Sequence, residues 1–204
     1  MFNKWDGELA NVAAGMVKKC ILTITVKFKT VGENIFGHWD SLNLEELVKE
    51  ITIEKAPYAW FFQEKDLYDP ADIPKFNSDK NSLGKTYHDH GHFTQMIWWN
   101  VLRIGCAKIG FKSSNPKYKS QIIITCHYGP AGNSIDKVMY EKGEPCTKCS
   151  GQGRTCSTKY KGLCECYMFG KGGAIRTMRS KIEYMESLRK NKLSNINCTA
   201  ALKT

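Results

Sequence analysis

Gly91-His92-Phe93-Thr94-Gln95-Met96-Ile97-Trp98, then Ile104-Gly105-Cys106-Ala107, then Ile124-Thr125-Cys126-His127-Tyr128-Gly129-Pro130-Ala131-Gly132-Asn133 are the segments on which the fold turns. The last two begin or end within apolar runs, Val101 to Phe111 and Gln121 to Tyr128. A polar stretch, Lys112-Ser113-Ser114-Asn115-Pro116-Lys117, separates these runs. Two β-prone runs around such a break predict the paired strands of a hairpin with a long loop. The stretch from His92 to Trp98 predicts a helix or turn that leads into the first of them.

Moving upstream, Trp5, Leu9, Val12, Ala13, Met16 and Val17 recur at spacings of three and four, which predicts a helix with one apolar face from Trp5 to Cys20. Ile21 to Phe28 alternates apolar and polar residues and predicts a strand. Leu42 to Phe62 reads as one or two helices interrupted near Pro57, and residues 65–90, with Pro70, Pro74 and Gly84, read as a long loop. Downstream, composition changes at about Lys142. Residues 143–166 hold five cysteines with Gly and Pro and almost no large aliphatics, so disulfides or a metal must organise them. In residues 171–192, Ile175, Met178, Ile182, Met185 and Leu188 have helical spacing.

The chain has 204 residues, 30 Lys and Arg against 20 Asp and Glu, and a formal net charge of +10. At 42% hydrophobic and 11% aromatic it carries enough apolar material for a packed core, which excludes a disordered or collagen-like chain. No run of 18 apolar residues occurs, so no transmembrane helix is expected. Residues 171–192 contain seven Lys and Arg less Glu183 and Glu186, a charge of +5. Half of the net charge therefore sits in a tail helix, which reads as a solvated amphipathic helix docked on the domain or as a surface for anionic lipid or polymer. No nucleic-acid motif accompanies it. Asn197-Cys198-Thr199 fits the acceptor pattern for glycosylation, with a cysteine at its centre.

The nine cysteines are an odd number. Cys146-x-x-Cys149 followed by Ser150-Gly151-Gln152-Gly153 admits a zinc-knuckle reading, but zinc needs four ligands and the later pair, Cys164-x-Cys166, has a different spacing. Two interlocked disulfides in an oxidising compartment fit better.

Read together, the opening segments resemble the two signature motifs of the CAP superfamily, which comprises cysteine-rich secretory proteins, antigen 5-like venom and salivary allergens, and plant pathogenesis-related proteins. The resemblance extends to Trp5-Asp6-Gly7-Glu8-Leu9-Ala10, Val31-Gly32-Glu33-Asn34-Ile35-Phe36 and Phe61-Phe62-Gln63-Glu64. It continues to a hinge at Gly143-Glu144-Pro145-Cys146-Thr147-Lys148-Cys149 and Gly162-Leu163-Cys164, and covers about residues 1–166. It implies an α+β fold: a three-layer α-β-α sandwich over residues 1–141, then a disulfide-rich hinge over 142–166 and a basic helical tail over 167–204. By the same resemblance Cys106 pairs with Cys126, Cys146 with Cys156 and Cys149 with Cys164. Of the remaining three, Cys166 with Cys198 is the expected tail bridge. The usual family partner of Cys20 falls at Phe111, which leaves Cys20 as the expected free thiol.

The family cleft gathers two histidines and two glutamates, which in some members hold zinc. Glu33, Glu64 and His92 match three of these positions. The segment from Cys20 to Val31 contains no histidine, so His38, His88 or His90 would have to replace the fourth. No cofactor is required, and zinc on His92 is the one the resemblance allows. The expectation is a secreted, non-enzymatic, antigen 5-like protein that binds a small apolar ligand, a sterol or fatty acid, or a host protein. A metal-dependent hydrolase working through the cleft and an ion-channel-modulating toxin are the alternatives. Met1 to Asp6 holds no secretory leader, which reads as a truncated N-terminus.

Overall fold

The computed structural model describes residues 4–20, 31–77, 79–149 and 154–166. The expected strand over 21–28 and the tail after residue 166 lie outside the described residues, as do the side chains of Cys166 and Cys198 on which the expected tail bridge depends.

A short strand β1 (Lys4–Trp5) precedes helix α1 (Gly7–Val17). The helix starts two residues later than its apolar spacing predicts. Asp6 takes extended backbone angles, and its carboxylate accepts the N–H groups of Glu8 and Leu9, which ends the helix there. Trp5 is thereby free to run parallel to Ile104. Strand β2 (Gly32–Asp40) is followed by α2 (Leu44–Glu50), whose first turn is closed by a reciprocal Asn43–Glu46 capping box. Helix α3 (Lys55–Glu64) follows after a break at 51–54. Pro57 does not interrupt it: the residue lies in the first helical turn, where its missing N–H has no intrahelical partner to lose.

The predicted long loop is shorter than expected. It carries a single 3-10 turn at Pro70–Asp72, and helix α4 (Tyr87–Ile97) begins five residues before His92. The Asp89 carboxylate accepts the Thr86 N–H at 2.8 Å and starts the helix, which kinks at buried His90. Strands β3 (Arg103–Lys112) and β4 (Ser120–Gly129) form the predicted hairpin, in register from Arg103 opposite Gly129 to Lys112 opposite Ser120.

The sheet order is β1-β3-β4-β2, with β2 antiparallel to β4. Central β4 is buried throughout. Ile122, Ile123 and Ile124 are fully enclosed, each contributing about 1.5–3 kcal/mol of burial. Helix α1 lies on one face, packing Ala13 and Val17 against Ala107, Phe111 and Ile123. Gly105 permits that approach, because a Cβ there would meet the backbone of Asp6, Leu9 and Ala10. Helices α2 and α4 cover the opposite face: a Cβ on Gly110 would meet Val48 and Leu44 of α2, and one on Gly32 would meet Gln95 of α4. Helix α3 packs on α4. This is the α-β-α layering that the resemblance implies.

The chain divides into two compact units after Gly143. In the second, strands β5 (Arg154–Cys156) and β6 (Cys164–Cys166) pair antiparallel. Cys146–Cys156 and Cys149–Cys164 staple them, and Cys106–Cys126 joins β3 to β4 in the first unit. Closing loops of 10 and 15 residues constrains the unfolded chain by about 3 kcal/mol each in the loop-entropy account. The sulfurs of Cys146 and Cys149 are thus committed to disulfides, not to a zinc knuckle.

Cys20 departs from expectation: it is disulfide-bonded, not a free thiol. It follows α1 in a left-handed backbone conformation and packs against the cluster that contains Phe111, the residue standing where its family partner would be. The bond is therefore made elsewhere.

Candidate functional site

Trp60 and Glu64 are one helical turn apart on α3 and face α4. The Glu64 carboxylate spans two groups there: Oε1 lies 2.5 Å from His92 Nδ1, and Oε2 accepts the Phe93 N–H at 2.9 Å. Trp60 stacks on the imidazole with ring centres 5.6 Å apart and planes 8° apart. His92 is consequently fixed at Nδ1 and on one face, while 35% of its side chain stays exposed. Its Nε2 is the end left to meet a ligand. On the next residue of α4, Phe61 meets Phe93 edge-on at 5.6 Å, and Tyr68 packs on Phe93 at the same distance.

Strand β2 reaches this site through Asn34. Its side-chain amide donates to the His92 carbonyl at 3.1 Å and to the Tyr128 hydroxyl at 3.0 Å. Burial pushes the Tyr128 phenol far above its ordinary range, against the opposing Asn34 hydrogen bond, so the hydroxyl stays neutral. Three other motif residues hold α4 to the segment after β4. Asn133 donates to the Gly91 carbonyl at 2.7 Å and accepts from Thr94, and Gln95 accepts the Gly132 N–H. Gly132 must be glycine, since a Cβ would lie 2.8–2.9 Å from Gln95 and Trp98.

Glu33 is not at this site. Neighbouring strand residues point to opposite faces, and Asn34 points toward α4. Glu33 therefore points to the α1 side, where it stands opposite His127 in the register and beside Gly105. Its Oε1 lies 3.0 Å from His127 Nε2, and both side chains are only 1% exposed. His127 Nδ1 is buried without a hydrogen-bond partner. The expected trio is thus divided into two Glu–His pairs on opposite faces of the sheet. Sequence reasoning passed over His127, Asn34 and Trp60. The alternation of β2 was the available signal, but it acquires meaning only once α4 is placed.

The other histidines do not restore a four-residue cluster. His38 lies 3.5 Å from Asp40 and stacks on Phe36, His88 lies tilted against Tyr87, and His90 is buried at the α4 kink near Tyr68. Among the described residues, no three His, Cys, Asp or Glu side chains come together as a metal-binding group. The zinc set allowed by the resemblance does not fit this arrangement, because Glu33 and His92 are separated by the sheet. No described Ser, Thr or Cys side chain hydrogen-bonds to His92 either. The arrangement presents one oriented, partly exposed imidazole stacked on the buried Trp60 ring.

The description of the cysteine-rich secretory protein family, CAP, matches residues 4–128. A protein from Trittame loki described as CRISP/Allergen/PR-1 is 33% identical over 171 residues, covering 79% of this chain and 39% of that one. Venom allergen 5 from Tityus serrulatus is 30% identical over 175 residues, with the same two coverages. The chain thus spans about two fifths of the length of these relatives. Among solved structures, BmVAL-1 superposes with a TM-score of 0.58 at 28% identity, covering 81% of this chain and 77% of that one. No helix among the described residues is long and apolar enough to cross a membrane. With the motifs, the layered sheet and the match over more than half its length in agreement, the chain belongs to the cysteine-rich secretory protein family.

Proposed function

We propose that the protein is a secreted, non-enzymatic, antigen 5-like member of this family that carries a small apolar ligand, a sterol or a fatty acid. The observation that carries the reading is the setting of His92. Its imidazole is oriented by Glu64, stacked on Trp60 and partly exposed, and among the described residues no third His, Cys, Asp or Glu joins the pair as a metal-binding group. An imidazole so oriented can hold the hydroxyl or carboxylate of an otherwise apolar molecule. Secretion is supported by the relatives, which carry venom and allergen names, and by three disulfides within the described residues.

The purified oxidised protein should retain a labelled sterol or fatty acid through gel filtration, and His92→Ala should weaken retention. Failure with both ligands would sink the carrier reading. Calorimetric titration with zinc should give the same trace for the wild type and His92→Ala. A saturable heat lost only in the variant would revive the hydrolase alternative.

A further inference from the structure

Helix α3 turns a second face outward. At 3.6 residues per turn, Lys55, Tyr58, Phe61, Phe62 and Lys65 fall within about a third of its circumference, opposite buried Ala56 and Trp60. Tyr58, Phe61 and Phe62 are 64%, 38% and 53% exposed. Their rings are continuous, with centres 4.4 Å apart for Tyr58 and Phe62 and 5.1 Å for Phe61 and Phe62, and the row continues inward through Phe93. Lys55 lies at one end of the stripe and Lys65 at the other.

We propose that this stripe is the surface by which the protein docks on a phospholipid bilayer containing anionic lipids. The three rings together expose about 300 Å², taking roughly 200 Å² for a whole aromatic side chain. That is the size of a functional patch on a monomer but well short of the roughly 800 Å² per partner that a stable protein interface buries. A bilayer interface needs no such area, because Tyr and Phe rings settle individually at headgroup depth while lysines reach the phosphates. The net charge of +10 belongs to the chain as a whole and draws it toward an anionic leaflet, and the rings supply the local contact. Lys65 is paired at 2.7 Å with Asp66, whose side chain is 78% exposed, so a lipid phosphate can take that place. The inference goes beyond ligand carriage, which concerns a lipid held in solution.

The test uses the full oxidised chain and sedimentation with vesicles of phosphatidylcholine containing one-third phosphatidylserine. Salt is set at about 0.1 M and about 1 M, where the screening lengths are about 10 and 3 Å. High salt removes attraction due to the basic tail and leaves the contribution of inserted rings. The wild type should bind at both salts, and Tyr58→Ser/Phe62→Ser should lose at least tenfold in partitioning at high salt with an unchanged melting temperature. This variant leaves Phe61 on Phe93, so it is expected to fold. Absence of wild-type binding at low salt, or equal binding by wild type and variant at high salt, would overturn the proposal. A wild-type dimer in light scattering that the variant abolishes would overturn it in favour of a second copy. Retention of labelled fatty acid without vesicles is scored separately, so failure of docking and failure of the carrier reading are distinguishable.

Discussion

Replacing Glu33 by Leu removes one member of a hydrogen-bonded pair that is enclosed on every side. Both side chains are 1% exposed, the contact is 3.0 Å, and His127 Nδ1 is already unpartnered. The variant would leave the imidazole in an apolar layer with neither nitrogen satisfied. Breaking one side of such a pair costs about 3–5 kcal/mol, and for a chain of this length that corresponds to a fall in melting temperature of roughly 10 °C or more. His127→Leu should cost a similar amount, since it strands the carboxylate. The double variant removes both polar groups and should be no less stable than either single one, giving a coupling energy well above the roughly 0.5 kcal/mol of independent sites. The control is His92→Leu at the other Glu–His contact. There 35% of the histidine side chain meets solvent, so the change should cost about 1 kcal/mol. Thermal unfolding of the oxidised proteins followed by circular dichroism reads all four. Losses below about 1 kcal/mol for both single variants, or a double variant equal to their sum, would refute the assignment of Glu33 to a buried pair behind the sheet.

Lys108, half-buried on β3, donates to the carbonyls of Val48 and Ile51 at 2.9 and 2.7 Å and so satisfies the end of α2; Lys108→Met should lower stability by about 1–3 kcal/mol in urea titration. Gly105→Ala should destabilise by at least about 1–3 kcal/mol, measured as loss of melting temperature, because its methyl group meets α1 backbone that cannot turn aside. Asp89 is held below the usual carboxylate range, first by the Thr86 N–H, and Asp69 first by the Ser82 hydroxyl. A depressed folded value means stability that is present above the ordinary Asp value near 4 and lost as pH falls below it through the lower folded value, so melting temperature should decline below about pH 4 and decline less steeply in Asp89→Asn. Peptide mapping without reduction should recover Cys20 in a disulfide; recovery as a free thiol would contradict the structure.

Much of the scaffold was legible because local rules and tertiary packing agree. The hairpin runs were bounded by polar residues; the observed β3, Arg103–Lys112, starts two residues after its run and ends one later, and β4, Ser120–Gly129, extends its run by one residue at each end. The cysteine-rich segment could be read as disulfide-organised because it lacks aliphatics to make a core. Misjudged boundaries have definite causes. The Asp6 cap overrode the apolar spacing that includes Trp5, and the Asp89 contact with Thr86 started α4 inside a stretch whose polar composition resembled a loop. Cys20 was misread because pairing was inferred from the position of a missing partner, whereas a disulfide depends on which sulfur the folded chain brings near.

By itself the sequence determined the family and the paired strands after Trp98, since each rests on residue types at short or motif-defined spacing. Only the tertiary structure decided which glutamate faces which histidine. Gly32, Glu33 and Asn34 are consecutive, and a strand sends consecutive side chains to opposite faces. Which face receives Glu33 depends on where α1 and α4 dock, and those positions are set by close approaches at Gly105 and Gly32 from opposite sides of the sheet. A one-residue change of register would exchange Asn34 and Glu33 and bring the carboxylate to His92.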